Sequence, residues 1–262
     1  MKKLLVFLLS AIMAVCMCGF AVTHAEGNPV TLELPAALGA GDNCFTAEVS
    51  PSLYTAEGQQ EYEIAGADLS SVVISDGTST ATITYFRNEP AMGRMKFYNT
   101  HGFMNFQTAA KGSTITFKAG TTFVDNGATY TFGDTDVVYE CDGNGNWLNQ
   151  TAERVTLTLN SITPDTNMFR LAVSPSLYAE EGAGEYDIAS ASLSSVVLSN
   201  GTSTASVTYF RNEPAMGCMK FYDTNNFMNF RTAAAGSTIT FKANTLFADH
   251  NKIYTFGKKD VI

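Results

Sequence analysis

The sequence predicts an all-β protein: two tandem antiparallel β-sandwich domains, immunoglobulin-like or jelly-roll-like, after an N-terminal signal peptide. Three observations predict it. Apolar residues recur with a period of two nearly everywhere, as strands with one face in a core and one in water require. Turn dipeptides such as Asp76-Gly77 and Asn200-Gly201 punctuate those runs. From Ser50 the chain realigns with itself from Ser174, at a constant shift of 124 residues and without a gap, and about 70% of the positions are identical.

The first element is the leader. Lys2 and Lys3 form a positive head, Leu4 to Val22 is nearly all apolar, and Thr23-His24-Ala25 puts small residues at a cleavage site. That is a secretory signal peptide over residues 1–25. Cleavage after Ala25 removes two lysines and no acid, so 16 − 2 basic against 25 acidic residues leave a net charge of −11. Such a surface repels phosphate, which argues against nucleic acid and against an anionic membrane as partners. No membrane contact beyond the leader is expected. Export places the protein outside the cell or on its surface.

The first repeat covers residues 26–148, a short linker covers 149–153, and the second repeat covers 154–262. About 110 residues per repeat suffice for a core of its own. Within each repeat the alternation marks the strands. Tyr62 and Ile64 alternate with Glu61 and Glu63, and Ala81, Ile83 and Tyr85 with Thr80, Thr82 and Thr84. Met95 and Phe97 alternate with Lys96 and Tyr98, and Ile115 and Phe117 with Thr114, Thr116 and Lys118. Eight or nine short strands per repeat are expected. Asp142-Gly143-Asn144-Gly145-Asn146 reads as a hairpin turn rather than a calcium loop, because it lacks the closing glutamate. The second repeat reaches Ile262 without a counterpart of VYECDGNGNWLN. It is expected either to be truncated or to close its sheet differently.

The decapeptide TYFRNEPAMG occurs unchanged at Thr84–Gly93 and Thr208–Gly217. Its Arg87-Asn88-Glu89-Pro90 segment is expected to be a loop between strands. Arg87 and Glu89, with Arg211 and Glu213, can bond hydroxyls or a carboxylate of a ligand, or can pair with each other as a structural corner. Tyr98 and Tyr222 fall on the polar side of their strands and are candidates for stacking on a sugar ring. The expected partners are therefore carbohydrate or an envelope or host surface protein.

Cleavage of the leader leaves Cys44, Cys141 and Cys218, an odd number. A disulfide between Cys44 and Cys141 would join the first and last strands of one repeat, and three unpaired thiols are the alternative. No cysteines or histidines have zinc spacing, and no metal or cofactor is expected. Catalysis finds little support. His101 is replaced by Asn225 and His250 by Asn126, so no Ser/His/Asp set exists in both repeats. Glu57, Glu61 and Glu89 recur as Glu181, Glu185 and Glu213, which keeps a glycosidase carboxylate pair open. The alternative is thus a secreted polysaccharide-degrading enzyme or an accessory part of one.

The run Gly112–Phe123, GSTITFKAGTTF, with Thr129–Phe132 and Val137–Trp147, resembles a β-rich tandem repeat of secreted and surface multidomain proteins of Gram-positive bacteria. The resemblance covers the last third of each repeat. It implies a secreted sandwich module that accompanies other domains, and it brings no functional residues. The expected function is a non-catalytic envelope or extracellular module, binding or structural. Its oligomeric state is not legible.

Overall fold

The computed structural model describes residues 28–53, 60–177, 184–188 and 190–262. Residues 1–25, expected to be a signal peptide, and Glu57 and Glu181 lie outside the described residues. The protein is all-β. Helical content among the described residues is four three-residue 3₁₀ turns, and no helix there is long and apolar enough to cross a membrane.

The first repeat contains β1 Val30–Thr31, β2 Ala37–Ala40, β3 Cys44–Glu48, β4 Tyr62–Glu63, β5 Val72–Ser75, β6 Thr80–Thr82 and β7 Tyr85–Glu89. It continues with β8 Arg94–Tyr98, β9 Thr114–Phe117, β10 Thr122–Asp125, β11 Ala128–Thr131, β12 Val137–Cys141 and β13 Trp147–Asn149. The second repeat contains β14 Arg154–Thr156, β15 Thr158–Pro164, β16 Met168–Ser174, β17 Tyr186–Asp187, β18 Val196–Ser199 and β19 Thr204–Ser206. It continues with β20 Tyr209–Glu213, β21 Cys218–Tyr222, β22 Thr238–Phe241, β23 Leu246–Asp249 and β24 Lys252–Thr255. The strands are shorter and more numerous than the sequence led us to expect.

In the first repeat ten strands hydrogen-bond in the order β4-β7-β8-β3-β2-β13-β12-β9-β5-β6, and β1-β11-β10 form a small sheet beside them. The second repeat divides the same plan into β15-β16-β21-β20-β17, β19-β18-β22 and β14-β24-β23. Pairing is antiparallel except at two places. β1 runs parallel to β11, and β14 parallel to β24. The expectation of wholly antiparallel sheets is corrected there: each repeat enters alongside one of its last strands and in the same direction.

Period-two burial builds the cores. Phe45, Phe86, Met95, Phe97, Ile115 and Phe117 are buried in one cluster, and Phe169, Phe210, Met219, Phe221 and Phe241 in a second. Phe45 stacks on Phe97 at 5.0 Å, and Phe169 on Phe221 at the same 5.0 Å. Large aromatic pairs of this kind dominate core energetics. A small third cluster of Ala36, Leu148, Ala248 and Ile253 draws on both repeats.

The Asp76-Gly77 and Asn200-Gly201 turns close the β5–β6 and β18–β19 hairpins. The Asp76 Oδ1 accepts from the Thr78 and Ser79 amides, and the Asn200 Oδ1 from Thr202 and Ser203. Gly77 and Gly201 supply the positive φ, 88° and 86°. Asp142 likewise folds its own turn inward, accepting from the Asn144 and Asn146 amides.

Candidate functional site

Alternation puts every second side chain of β3, β7 and β8 on the face opposite the core. In the first repeat that face carries Tyr85, Arg87 and Glu89 from β7 and Arg94, Lys96 and Tyr98 from β8. The register sets Tyr85 opposite Tyr98, Arg87 opposite Lys96 and Glu89 opposite Arg94. Cross-strand neighbours of this kind stand close enough to interact directly. Arg87 and Glu89 are therefore strand residues, which corrects the expectation of a loop. The loop is the Pro90–Met92 3₁₀ turn, closed by Gly93. The long run from Thr80 to Arg87 hides a break at Ile83-Thr84, where the alternation slips. Ile83 and Phe86 are both buried, and Tyr85 faces outward.

The polar face is an ion-paired lattice, in which the buried Arg87 Nε is left without a hydrogen-bond partner among the described residues. Glu61 lies beside β4 and receives Arg87 Nη1 at 3.1 Å and Lys96 Nζ at 3.6 Å. Lys96 also reaches Glu89 Oε1 at 2.8 Å, and Arg94 bonds the other oxygen of Glu89. The Tyr98 hydroxyl donates to Glu61 Oε1 at 3.1 Å. Its ring stacks on Tyr85, with centroids 4.5 Å apart and planes 11° apart. The sequence-derived set Arg87, Glu89 and Tyr98 is thus brought together, through Glu61 and Lys96.

The second repeat rebuilds the lattice. Arg211 Nη1 lies 2.9 Å from Glu185 Oε1, and its Nε faces Asp187 as an ion pair without hydrogen-bond geometry. Lys220 bridges Glu185 and Glu213, the latter at 2.9 Å. The Tyr222 hydroxyl donates to Glu185 Oε1 at 2.9 Å, and its ring stacks on Tyr209 at 4.3 Å. Two partners differ: Arg211 gains Asp187, where the ion pairs of Arg87 among the described residues reach only Glu61, and the guanidinium on Glu213 comes from another position. Cys218 stands where the first repeat has Arg94, and Arg170, where the first repeat has Thr46, supplies the guanidinium to Glu213 at 3.2 Å.

These contacts decide the protonation chemistry. Burial pushes the carboxyls of Glu89, Glu185 and Glu213 up. Hydrogen bonds and charge from Arg94 and Lys96, from Lys220, Tyr222 and Arg211, and from Lys220, Cys218 and Arg170 outweigh it, and all three end below the usual 4.5. Lys96 and Lys220 are held above the usual lysine value, Lys96 chiefly by its hydrogen bond to Glu89. A general acid needs the opposite, a carboxyl raised toward neutrality. Glu89, Glu185 and Glu213 are thus held as carboxylates near pH 7.

A second polar group lies beneath this face and was not legible in the sequence. The Tyr62 hydroxyl donates to Asp125 Oδ2 at 2.7 Å and accepts from Asn88 Nδ2 at 2.9 Å. Asn88 and Asp125 are buried. Burial pushes the Tyr62 phenol up to about 12. Tyr186, Asn212 and Asp249 repeat the arrangement, at 2.9 Å and 2.7 Å. It ties β4 to β7 and β10, and β17 to β20 and β23. The signal was present in the repeated Tyr, Asn and Asp, but nothing local says that they meet.

Cys44, Cys141 and Cys218 are free thiols. Cys44 and Cys141 do not pair, because β2 and β13 stand between their strands, whereas a disulfide needs Cα atoms within about 7 Å. Cys141 is buried, and its Sγ donates to the Ala109 carbonyl at 3.4 Å. Among the described residues no group of three His, Cys, Asp or Glu side chains is placed to hold a metal ion.

Comparison of the chain with family models, with curated proteins and with solved structures gave no match. The reading of function therefore rests on the site itself.

Proposed function

We propose that the chain is an exported, non-catalytic module of a bacterial cell envelope or extracellular medium. Two β-sandwich units, immunoglobulin-like or jelly-roll-like, follow a signal peptide cleaved after Ala25. Each unit presents its ladder face, Tyr85, Arg87, Glu89, Lys96 and Tyr98 or the counterparts Tyr209, Arg211, Glu213, Lys220 and Tyr222, to a glycan or protein surface.

The observation that carries this reading is the ion pairing of the lattice glutamates. Glu89, Glu185 and Glu213 sit below the ordinary carboxylate range, which disfavours the protonated acid of glycoside hydrolysis. A preorganised polar face with stacked rings suits recognition without chemistry. The two repeats also differ in net charge. Residues 26–150 carry 5 basic and 15 acidic groups, and residues 154–262 carry 9 of each. A ligand common to both faces is therefore selected by shape and hydrogen bonding rather than by charge.

The test is incubation of the mature protein with cell-wall and plant polysaccharides and with envelope proteins. Retention without released reducing ends is expected, and it should weaken in the Tyr98→Ala, Tyr222→Ala double variant. Released reducing ends would replace this reading with an enzyme. Neither retention nor release would leave a structural spacer.

A further inference from the structure

The outward face of the first repeat's sheet does not stop at the ladder. Beyond β8 it continues over β3 and β2, with Glu48 opposite Arg94 and Gly39 opposite Thr46. Leu38 is buried in the core, so alternation turns Ala37 and Gly39 outward, and the face is low there. A Cβ on Gly39 would stand 2.5 Å from the Thr46 hydroxyl oxygen, which keeps that floor bare.

Over this floor lies a cleft of about 720 Å³, and Tyr186, Ile188, Ala248 and His250 of the second repeat form its far wall. The volume is that of small-molecule sites. The repeats are in contact beside it, where Ala36 and Leu148 cluster with Ala248 and Ile253. The His250 ring stands edge-on to Tyr186 at 5.7 Å.

The near wall is the Asp142–Asn146 turn. A Cβ on Gly145 would lie 2.7 Å from the Gln107 carbonyl, so the turn and Gln107 are pressed together. Three amides line the cleft there: Gln107, Asn144 and Asn146. Asn146 Nδ2 donates to Asp142 Oδ2 at 2.9 Å, and Asn144 Nδ2 to the same oxygen at 3.4 Å. Gln107 Nε2 donates to the Ala40 carbonyl at 3.4 Å. Carboxylate and carbonyl oxygens only accept, so these contacts hold each NH2 group on the protein. Among the described residues no donor is placed on the three amide oxygens.

The charged groups of the cleft are mostly answered. Asp187 faces Arg211, Asp249 accepts from the Tyr186 hydroxyl, and Arg94 gives its Nε to Glu89. Glu48 has no ion pair among the described residues and adds one carboxylate to the amide oxygens. The surplus is therefore of hydrogen-bond acceptors rather than of unpaired charge. Sugar hydroxyls meet such a surplus by donating, whereas an ammonium or a metal ion calls for more unpaired carboxylate.

We propose that this cleft between the repeats binds a neutral oligosaccharide. Its hydroxyls donate to the amide oxygens of Gln107, Asn144 and Asn146 and to Glu48, and its C–H faces rest on Ala37, Gly39 and Ala248. The glycine-rich turn that reads in the sequence only as a hairpin is then the wall that selects the sugar. The site stands without the ladder reading, and it occurs once per chain where the ladder occurs twice.

The experiment is calorimetric titration of the mature chain with neutral tetrasaccharides of glucose, mannose, xylose and N-acetylglucosamine. Binding of one sugar per chain is expected for at least one of the four, unchanged in high salt. It should shift the NMR signals of the Gln107 and Asn144 side-chain amides. Both residues are exposed, and a Gln107→Ala, Asn144→Ala double variant should bind at least tenfold more weakly. A circular dichroism melt confirms that this variant folds. Two sugars per chain with those amide signals unmoved would place the sugar on the ladders and overturn the cleft alone. Binding of none of the four, or salt-sensitive binding of spermidine in their place, would overturn it as well.

Discussion

Arg170 and Glu213 meet across β21, with Arg170 Nε 3.2 Å from Glu213 Oε2. In the first repeat the corresponding glutamate, Glu89, takes its guanidinium from Arg94 on the adjacent strand. Between the repeats Thr46 has become Arg170 and Arg94 has become Cys218. The carboxylate keeps an arginine although no single position does. Replacement of Arg170 by Thr should therefore cost about 1 kcal/mol in a urea titration, the scale of a partly exposed ion pair. Adding Cys218→Arg to that variant should restore most of the loss. A double variant no more stable than Arg170→Thr would show that the exchange is not compensatory.

Lys220 is the more consequential of the two bridging lysines. Its side chain is 9% exposed against 21% for Lys96, and it lies between two glutamates in the same way. Lys220→Met should leave Glu185 and Glu213 facing each other with less water to screen them, at a cost of about 2–3 kcal/mol. Lys96→Met should cost less, and comparing the two unfolding midpoints checks the order.

Glu89, Glu185 and Glu213 sit below their usual 4.5 when folded, so their contribution to stability is present above that value. It is lost as pH falls through the lower folded values. Lys96 and Lys220 are raised, so theirs is complete below 10.5 and is lost at higher pH. The melting temperature should be flat from about pH 6 to 8, fall below pH 4.5, and fall again as the pH rises past 9, where the raised thiols, then the raised phenols and lysines, begin to lose their contribution. The acid limb should shrink in a Glu213→Gln variant.

How much of this was legible depends on local regularity. Met95-Lys96-Phe97-Tyr98 lies in one unbroken strand, so alternation alone assigns its two faces. Arg87 and Glu89 were misplaced into a loop because Pro90 and Gly93 are strong punctuation, while the slip at Ile83-Thr84 leaves no mark in the pattern. Glu61 is legible only as a candidate catalytic carboxylate beside Glu89, not as the ion-pair partner of Arg87 and Lys96, and Asp125 is not legible as a partner of Tyr62. Glu61 borders a two-residue strand, and Asp125 is brought to Tyr62 across the sequence. The Cys44–Cys141 bridge failed because nearness to the two ends of a repeat says nothing about which strands intervene.

Burial pushes the thiols of Cys44, Cys141 and Cys218 up, and Cys218, beside Glu213, reaches about 11. All three should react slowly with iodoacetamide at pH 8 in the folded protein, because the thiolate is the reactive form. The denatured mature chain should release three thiols without reductant. A titre of one would restore the disulfide between Cys44 and Cys141.

The ion-paired lattice is tested most directly by the carboxyl titrations of Glu89 and Glu213, followed by carbon-detected NMR of the mature chain. Both should titrate below 4.5, and Glu89 should move upward when Lys96 is replaced by Met. A value near or above 6 for either carboxyl would contradict the account, since it would mark a group poised to donate a proton.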